Sequence, residues 1–159
     1  MVIVSSDEIN SVLKTYKLVE DKIRWYRASV RVLDLGCGKT GAAVTELKAR
    51  YNGKVECYGV DPTVRASSRD TPLYMEEPDS LPFKDGYFDV VYSCNYMYYF
   101  DDEKIRSILK DVLRVLKPKG YFVFNDYRRS SAKYKEDFIP SAGIKARIFG
   151  DKPKFIIKY

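Results

Sequence analysis

The stretch at 30–41 reads VRVLDLGCGKTG and constrains the fold more than any other part of the chain. Its first six residues are mostly apolar and β-branched, which predicts a short strand buried on both faces, interrupted by Asp34. Three glycines then follow, at Gly36, Gly38 and Gly41. Glycine at this spacing allows a sharp turn and lets a ligand approach the main chain closely. A helix that starts after the third glycine would point its first amides at that ligand.

Asp34 indicates the charge of this ligand. A pyrophosphate bound at the turn would lie close to the carboxylate, and the two negative charges would repel each other. S-adenosylmethionine instead carries an ammonium and a sulfonium, which a carboxylate attracts. The glycine spacing by itself is shared with nicotinamide-dependent oxidoreductases. Asp34 therefore favours a cationic adenosyl ligand over NAD.

The second predicted strand, residues 55–60, ends in Asp61 and Pro62. Asp61 follows Asp34 by 27 residues, which is the length of a β–α–β unit whose second strand carries an acid to a ribose. Its carboxylate can accept hydrogen bonds from both ribose hydroxyls, and it excludes a 2′-phosphate. We predict that Asp61 binds ribose, with the acidic loop 76–79 placed where an adenine would lie.

The remaining patterns predict one α/β domain over residues 1–159, with an N-terminal helix in 1–29 followed by a sheet-containing core. At 159 residues the chain can bury one sizeable core. Alternating strands and helices followed by a hairpin indicate a mostly parallel sheet with one antiparallel strand. The predicted elements after the second strand are helical turns at 63–69, strands at 72–75, 88–93 and 121–125, an amphipathic helix from 101 to 116, a turn at 117–120, a short helix at 128–138 and a hairpin of 144–149 with 155–159.

Basic residues are concentrated in the last quarter of the chain. Residues 1–116 carry 17 Lys and Arg against 18 Asp and Glu, whereas residues 117–159 carry 11 against 4. This quarter is compatible with an anionic partner, RNA included, through residues such as Arg128 and Arg129, and more simply with a solvated surface. Three scattered cysteines do not form a disulfide framework, and no membrane span or signal peptide is recognised. The chain is therefore expected to be cytoplasmic with reduced thiols.

Four motifs occur in order: VLDLGCG at 32–38, YGVDP at 58–62, SLPFKDGYFDVV at 80–91 and VLKPKG at 115–120. Together they resemble the class I S-adenosylmethionine-dependent methyltransferases over about residues 28–159. The resemblance implies a Rossmann-like three-layer sandwich over 30–159. Its sheet would be mostly parallel and seven-stranded, in the order 3-2-1-4-5-7-6 with strand 7 antiparallel. The crossovers of this chain are shorter than those of the family.

The resemblance also implies which residues hold the cofactor S-adenosylmethionine. The motif at 34–38 matches the segment that holds the methionine end, and Asp61 matches the ribose-binding acid. Glu77 matches the acid at the adenine, and Ser93 matches a position near the transferred methyl group. The implied cofactor residues are Asp34, Gly36, Cys37, Gly38, Asp61, Pro62, Glu77, Pro78 and Ser93, and no metal site is predicted. The family usually has its third glycine two residues after the second, so the role of Gly41 stays open.

The catalytic residues are not identified by these motifs. Methyl transfer from a sulfonium is an in-line displacement, which needs alignment of the reacting atoms and a base only if the nucleophile must lose a proton. The family often has a histidine after the fourth strand, whereas this chain contains no histidine. The candidates are Asp126 at the end of the fifth strand and the loop tyrosines Tyr96, Tyr98 and Tyr99. Because tyrosine titrates near pH ~10, these side chains are expected to orient a substrate rather than deprotonate it.

The methyl acceptor is left open by the sequence. A small metabolite is the default for this motif set, while the short crossovers leave little material for a lid and suit a protein or RNA acceptor. A homo-oligomer or a partner subunit could complete the site. Two other classes stay open: a non-catalytic methyltransferase-like subunit, and a nicotinamide-dependent oxidoreductase, which Asp34 and the absence of histidine oppose.

Overall fold

A computed structural model describes residues 6–143, 145–150, 152 and 154–159, with side chains described from Lys14 onward. Residues 1–5 of the predicted N-terminal segment therefore lie outside the described residues, as does Asp151 in the predicted hairpin turn. The main elements are α1 (Ser6–Trp25), β1 (Val30–Leu35), α2 (Ala42–Arg50), β2 (Val55–Val60), β3 (Leu73–Tyr74), β4 (Phe88–Ser93), α3 (Asp102–Val115), β5 (Leu116–Asn125), β6 (Arg147–Phe149) and β7 (Lys154–Lys158). Between β5 and β6, a continuous helical segment consists of α4 (Ser131–Lys133), a π-helical turn (Tyr134–Phe138) and α5 (Ile139–Ser141).

The described strands form one seven-stranded sheet in the order β3-β2-β1-β4-β5-β7-β6. Neighbouring strands from β3 to β5 are parallel, and β7 is antiparallel to both β5 and β6. This confirms the predicted order and the single reversed strand. Because the chain order reverses between β1 and its neighbour β4, the carboxyl end of β1 opens at the topological switch point, where ligands bind in sheets of this kind.

Helices cover both faces of the sheet and give the predicted three layers. On one face, Val19 and Ile23 of α1 and Val44 and Leu47 of α2 pack with β1, β2 and β4. On the other face, α3 and the helical segment 131–141 pack against β4, β5 and β7. None of the described helices is long and apolar enough to span a bilayer.

Helix α3 shows how local sequence and core packing agree. The side chain of Asp101 caps the helix by accepting a hydrogen bond from the Lys104 amide at 2.8 Å. Two acidic residues in the first turn complement the positive end of the helix dipole. The apolar face is fully buried through Ile105, Ile108, Leu109, Val112, Leu113 and Val115. This helix therefore fixes β4 and β5, whose carboxyl ends border the site.

Strand β5 begins earlier than the sequence predicts. Residues 117–120, predicted as a turn, form the irregular first part of this strand, where Lys119 has a φ of 70°. The pairing with β4 shifts register in this region. On the other side, the Lys119 amide donates to the Tyr159 carbonyl at 3.2 Å, and the Tyr159 amide donates to the Gly120 carbonyl at 3.0 Å. Pairing on both sides, which no local pattern contains, extends the strand.

One further local prediction is wrong, and the bounds of another are shifted. The segment 63–69 forms no helical turn, and the hydroxyls of Ser67 and Ser68 instead accept hydrogen bonds from the Leu73 and Thr71 amides at 2.8 and 3.1 Å. These side-chain bonds join the end of the crossover to the residues before and in β3, and the crossover runs without a helix. The helical segment after β5 starts at residue 131, three residues later than predicted, and continues through Pro140 to residue 141. The shortness of the crossover itself is as predicted.

Candidate cofactor site

The loop after β1 folds over the end of β2. The amides of Gly36 and Cys37 both donate to the Val60 carbonyl, at 2.8 and 3.2 Å. Gly36 and Gly38 have φ values of 83° and 77°, in the left-handed region that favours glycine. These two conformations turn the chain back across the carboxyl edge of the sheet. The predicted ligand-binding turn is therefore formed where β1 and β2 end.

Asp61 connects this turn to the end of β2. Its Oδ2 accepts a hydrogen bond from the Gly38 amide at 3.0 Å, and its Oδ1 accepts from the amide and hydroxyl of Thr63 at 2.8 and 2.6 Å. The side chain is largely buried. Because each carboxylate oxygen has two lone pairs, Oδ2 can accept one further hydrogen bond, and the Thr63 hydroxyl is the donor on Oδ1 that a ligand hydroxyl can replace. Asp61 thus organises the loop and still offers acceptors to a diol.

Asp34 lies buried beneath the same turn, with only 3% of its surface exposed. Its Oδ2 accepts a hydrogen bond from the Tyr92 hydroxyl at 3.0 Å. Burial raises the pKa of Asp34 to about 7; the hydrogen bond from Tyr92 lowers this pKa, and the nearby carboxylate of Asp61 raises it. A cation at this edge would therefore meet two carboxylates, of which one is partly protonated near neutral pH.

Two observations fit an adenosyl ligand with an amino-acid end. The hydroxyl of Ser93, at the end of β4, is buried and has no hydrogen-bond partner, which is uncommon for a buried polar group. A Cβ placed on Gly38 would meet no atom within 4 Å, so the turn borders open space. An orphaned hydroxyl, an open glycine turn and two acids thus lie at the ends of three adjacent strands. These residues match the hydroxyls, main-chain contacts and positive charge of such a ligand.

For the other predicted cofactor residues, the structure gives packing, exposure and charge contacts. The Cys37 side chain lies across Gly59 of β2, and burial raises the pKa of its thiol to about 12, so it packs as a neutral group. Pro62 is exposed, and Pro78 is buried. Glu77 is exposed and lies 3.8 Å from the Lys104 ammonium. Their contacts with a cofactor stay predictions.

Tyr96 is the catalytic candidate that lies closest to the glycine turn. Its ring packs directly on Gly36, where a Cβ would come within 2.5 Å of the ring. Burial raises its pKa, and the charges of Asp61 and Glu77 raise it further. A tyrosine with a raised pKa is a poor base but a stable hydrogen-bond donor. The structure thus shows Tyr96 packing against the glycine turn, and a catalytic role for it stays a prediction.

Alanine substitutions in the glycine turn separate the cost of backbone strain from the cost of a steric clash. Gly36→Ala is expected to lower the free energy of unfolding by about 2–3 kcal/mol, because it adds a Cβ in a left-handed conformation and displaces the Tyr96 ring. Gly38→Ala is the matched control: its φ is similar but its Cβ meets open space, so only about 1–2 kcal/mol is expected. Urea denaturation of the ligand-free protein measures both. Equal losses in the two variants would show that Tyr96 does not restrict this position.

Tyr98, Tyr99 and Asp126 differ in their exposure. The Tyr98 and Tyr99 rings lie 4.4 Å apart, and Tyr99 is 70% exposed, so these side chains form an accessible aromatic rim. Asp126 is fully buried and accepts hydrogen bonds from the Arg129 guanidinium at 3.0 Å and the Tyr134 hydroxyl at 2.7 Å. Its other oxygen accepts from a backbone amide. Both oxygens of Asp126 are thus engaged within the protein, and a catalytic role for it stays a prediction.

Arg129 also differs from its predicted role. Only 5% of its surface is exposed, and it bonds Asp126 and Asp102 together with the Phe100 carbonyl. The Arg129 guanidinium is therefore held in a buried ion pair and is not exposed to an anionic partner, while contact through the rest of the basic C-terminal quarter stays a prediction. Exposed basic groups instead lie at the β6 edge, at Lys145 and Arg147.

Sequence reasoning missed three contributions to the site. Tyr92 reads as one more apolar residue of a buried strand, although its hydroxyl contacts Asp34. Asn95 has a φ of 51°. Its main-chain amide donates to the side-chain oxygen of Asn125 at 2.7 Å, which joins the loop after β4 to the end of β5. Gly41 has a φ of 59°, and a Cβ there would come within 2.8 Å of Leu73, so this glycine packs α2 against β3. An asparagine after a strand is a weak signal for such a left-handed residue.

Comparison with known proteins identifies the family. The model of the methyltransferase domain family matches residues 33–124, which run from within β1 to within β5 and include the glycine turn and Asp61. The chain belongs to this methyltransferase family. A glycine/sarcosine/dimethylglycine N-methyltransferase of Actinopolyspora halophila is 32% identical over 69% of this chain. This methyltransferase domain spans 21% of that relative's own length.

Solved structures show the same fold over nearly the whole domain. An S-adenosylmethionine-dependent methyltransferase from Aquifex aeolicus superimposes with a TM-score of 0.65 at 14% identity, covering 97% of this chain and 92% of that one. A methyltransferase solved in complex with the Haloferax volcanii Trm112 methyltransferase activator gives a TM-score of 0.63 at 20% identity, covering 92% of this chain and 75% of that one. At these identities the likeness concerns the fold. Membership of the family makes S-adenosylmethionine the cofactor of this methyltransferase domain.

Proposed function

We propose that this domain catalyses methyl transfer from S-adenosylmethionine to a small-metabolite acceptor by in-line displacement. The observation that carries the proposal is the link between Asp61 and the Gly38 amide at 3.0 Å, which builds the ribose acid and the glycine turn into one cradle. When bound, S-adenosylmethionine supplies an electrophilic methyl group on its sulfonium. The protein contributes by holding the reacting atoms in line, which can account for much of the rate of such a reaction.

Each cofactor residue has a distinct proposed role. Asp34 faces the ammonium of the methionine end, and the turn at Gly36 and Gly38 lets that end approach the main chain. Asp61 accepts hydrogen bonds from the ribose hydroxyls. Glu77 and Pro78 border the adenine, while the buried Ser93 hydroxyl finds a partner in the ligand; Cys37 and Pro62 contribute main-chain contacts beside them.

The groups near the site favour an acceptor that needs no strong base from the described residues. Both oxygens of the buried Asp126 already accept hydrogen bonds within the protein, and burial raises the pKa of Tyr96. An amine nucleophile meets this condition, because its lone pair attacks directly and any proton is lost to water. The named activity of the relative from Actinopolyspora halophila is N-methylation of amino acids. Small amines are therefore the acceptor class that we propose.

The exposed apolar rim supports a proposed contribution from a partner. Met75, which follows β3, is 66% exposed, and Tyr99, which lies in the loop after β4, is 70% exposed. Both positions are at the carboxyl edge of the sheet. Large exposed apolar side chains at the edge of a cleft are typical of a surface that another protein covers. The neighbour solved with an activator subunit shows that this fold can work in a complex. We infer that a partner subunit or a second copy closes the acceptor side of the cleft.

The proposed activity is tested first by ligand binding. In a thermal-shift titration, S-adenosylhomocysteine at about a hundred times its dissociation constant should stabilise the domain by about 2.7 kcal/mol, whereas NADH should not. Methyl transfer from labelled S-adenosylmethionine to small amines and to RNA then identifies the acceptor class. Stabilisation by NADH alone would favour the oxidoreductase. Binding of S-adenosylhomocysteine without transfer to any acceptor, even with cell extract added, would favour the non-catalytic subunit.

A further inference from the structure

A buried hydrogen bond links strand β1 to its neighbour β4 beneath the cofactor cleft. The Tyr92 hydroxyl donates to Oδ2 of Asp34 at 3.0 Å. We propose that Tyr92 is a positioning residue, which holds Asp34 in the orientation and charge state that receive the ammonium of the cofactor. This inference rests on the proposed function, and it concerns a residue outside the glycine turn and the ribose acid.

The strand register places the two side chains side by side. Asp34 and Tyr92 are directly paired across the parallel β1–β4 ladder, so their side chains leave the same face of the sheet. Tyr92 is fully buried and Asp34 is 3% exposed. Oδ1 of Asp34 receives no hydrogen bond from a described residue, whereas Oδ2 is occupied by the tyrosine. One carboxylate oxygen is therefore fixed by the protein and the other is left to the ligand.

The Tyr92 ring is itself held in place. Tyr16 of α1 packs edge-on against it, with ring centroids 5.6 Å apart. A buried tyrosine hydroxyl needs a polar partner, and Asp34 supplies that partner here. The N-terminal helix thus supports the tyrosine, and the tyrosine supports the acid. Loss of the hydroxyl would leave the aromatic packing intact and remove the only donor on Oδ2 among the described residues.

Ionisation of Asp34 makes this role measurable. Burial raises its pKa to about 7, while the Tyr92 hydrogen bond lowers it and Asp61 raises it. The titratable groups that face this carboxylate from α1, the glycine turn, β2 and β4 are Tyr16, Cys37, Cys57, Asp61, Tyr92 and Cys94. Burial raises the pKa of each tyrosine and cysteine in this set, so all of them stay neutral around pH 7. Compared with these tyrosines and cysteines, Asp34 is the group whose pKa lies near neutrality.

The sign of the pH dependence follows from linkage. An ammonium binds the ionised carboxylate better than the protonated acid, so ligand binding releases a proton from Asp34 below its ligand-free pKa. Affinity is therefore expected to rise as the pH approaches 7 from below and to level off above it. Without the Tyr92 hydroxyl, the ligand-free pKa rises, and the point at which affinity levels off moves to higher pH.

The test measures the dissociation constant of S-adenosylhomocysteine by calorimetry from about pH 6 to about pH 8.5. For the wild type we expect affinity to fall up to about tenfold per pH unit below 7. Tyr92→Phe should move the profile upward by about one pH unit, giving roughly fivefold weaker binding at pH 7, about tenfold weaker binding at lower pH and recovery at high pH. Tyr16→Phe, which removes a hydroxyl of the same aromatic pair without a bond to Asp34, is the matched control and should keep the wild-type profile.

A second ligand separates positioning from general damage to the fold. 5′-Methylthioadenosine lacks the ammonium, so its binding should show neither the inflection nor the shift. Equal loss for both ligands at every pH would mean that Tyr92 is merely structural and would overturn the proposal. If Tyr92→Phe does not fold, Asp34→Asn in place of it should abolish the inflection, and persistence of the inflection would overturn the proposal as well. Failure of both ligands to bind the wild type would instead reject the proposed function.

Discussion

Asp61→Ala is expected to weaken S-adenosylhomocysteine binding by at least about 100-fold. The carboxylate offers two acceptors to the ribose hydroxyls, and a hydrogen bond to a charged group contributes about 1.5–3 kcal/mol. The same oxygens accept from the Gly38 amide and from Thr63, so the substitution also releases the glycine turn from β2. Calorimetry measures the affinity, and thermal unfolding of the ligand-free protein measures the loss of the internal bonds.

Two variants separate these effects for Asp61. Asp61→Asn keeps one acceptor oxygen for the turn but loses the negative charge, so it should fold more stably than the alanine variant and still bind poorly. Asp70→Ala removes an exposed carboxylate from the same crossover and should bind like the wild type. Wild-type affinity in Asp61→Ala would contradict the ribose assignment, because no cofactor hydroxyl would then depend on this acid.

Arg129→Met is expected to lower the free energy of unfolding by about 3–5 kcal/mol. The guanidinium bonds the fully buried Asp126 at 3.0 Å, and its removal leaves an uncompensated charge in the interior. It also removes the bonds to Asp102 and to the Phe100 carbonyl, which tie the loop after β4 to the segment after β5. Chemical denaturation with a two-state fit gives the value.

The matched control for Arg129 is an ion pair of similar shape on the surface. Arg106 makes two hydrogen bonds to Asp137 at 2.8 and 2.7 Å, but its side chain is 40% exposed. Arg106→Met should therefore destabilise the protein far less than Arg129→Met, because solvent screens an exposed ion pair. If both substitutions cost the same, burial of Asp126 would not be what makes its ion pair important. The double variant Arg129→Met/Asp126→Leu should recover part of the loss, because it removes the unpaired charge.

The fold could be predicted because its signals are local and repeated. The apolar run before the glycines, the amphipathic periodicity of α3 and the ordered motifs each limit the topology, and the sheet order follows from the family that they resemble. The wrong predictions of secondary structure fall on segments that have no periodic pattern of apolar residues. Residues 117–120 read as a turn, yet pairing with neighbouring strands makes them part of β5. Residues 63–69 read as helical turns, yet serine hydroxyls accept hydrogen bonds from the residues before and in β3, and the crossover runs without a helix.

The residues of the site likewise divide into those that the sequence could identify and those whose role depends on the fold. Asp34, Gly38 and Asp61 could be named from sequence because their charge and backbone freedom carry the chemistry, and the structure brings all three to one edge. Asp126 and Arg129 carry the same kinds of charge, but in the fold they neutralise each other and lie buried. A formal charge in a sequence says nothing about its partner, and the partner decides whether the charge is functional or structural.

The sequence by itself determined the class of fold, the glycine turn and the acid at the end of β2, because strand burial, glycine conformation and chain spacing are properties of short segments. Only the tertiary structure decided which polar groups meet. Tyr92 and Asp34 are 58 residues apart in the chain, and they meet because β1 and β4 pair in register. Desolvation then gives Asp34 a pKa near neutrality, and such a shift depends on three-dimensional burial that a linear pattern does not contain.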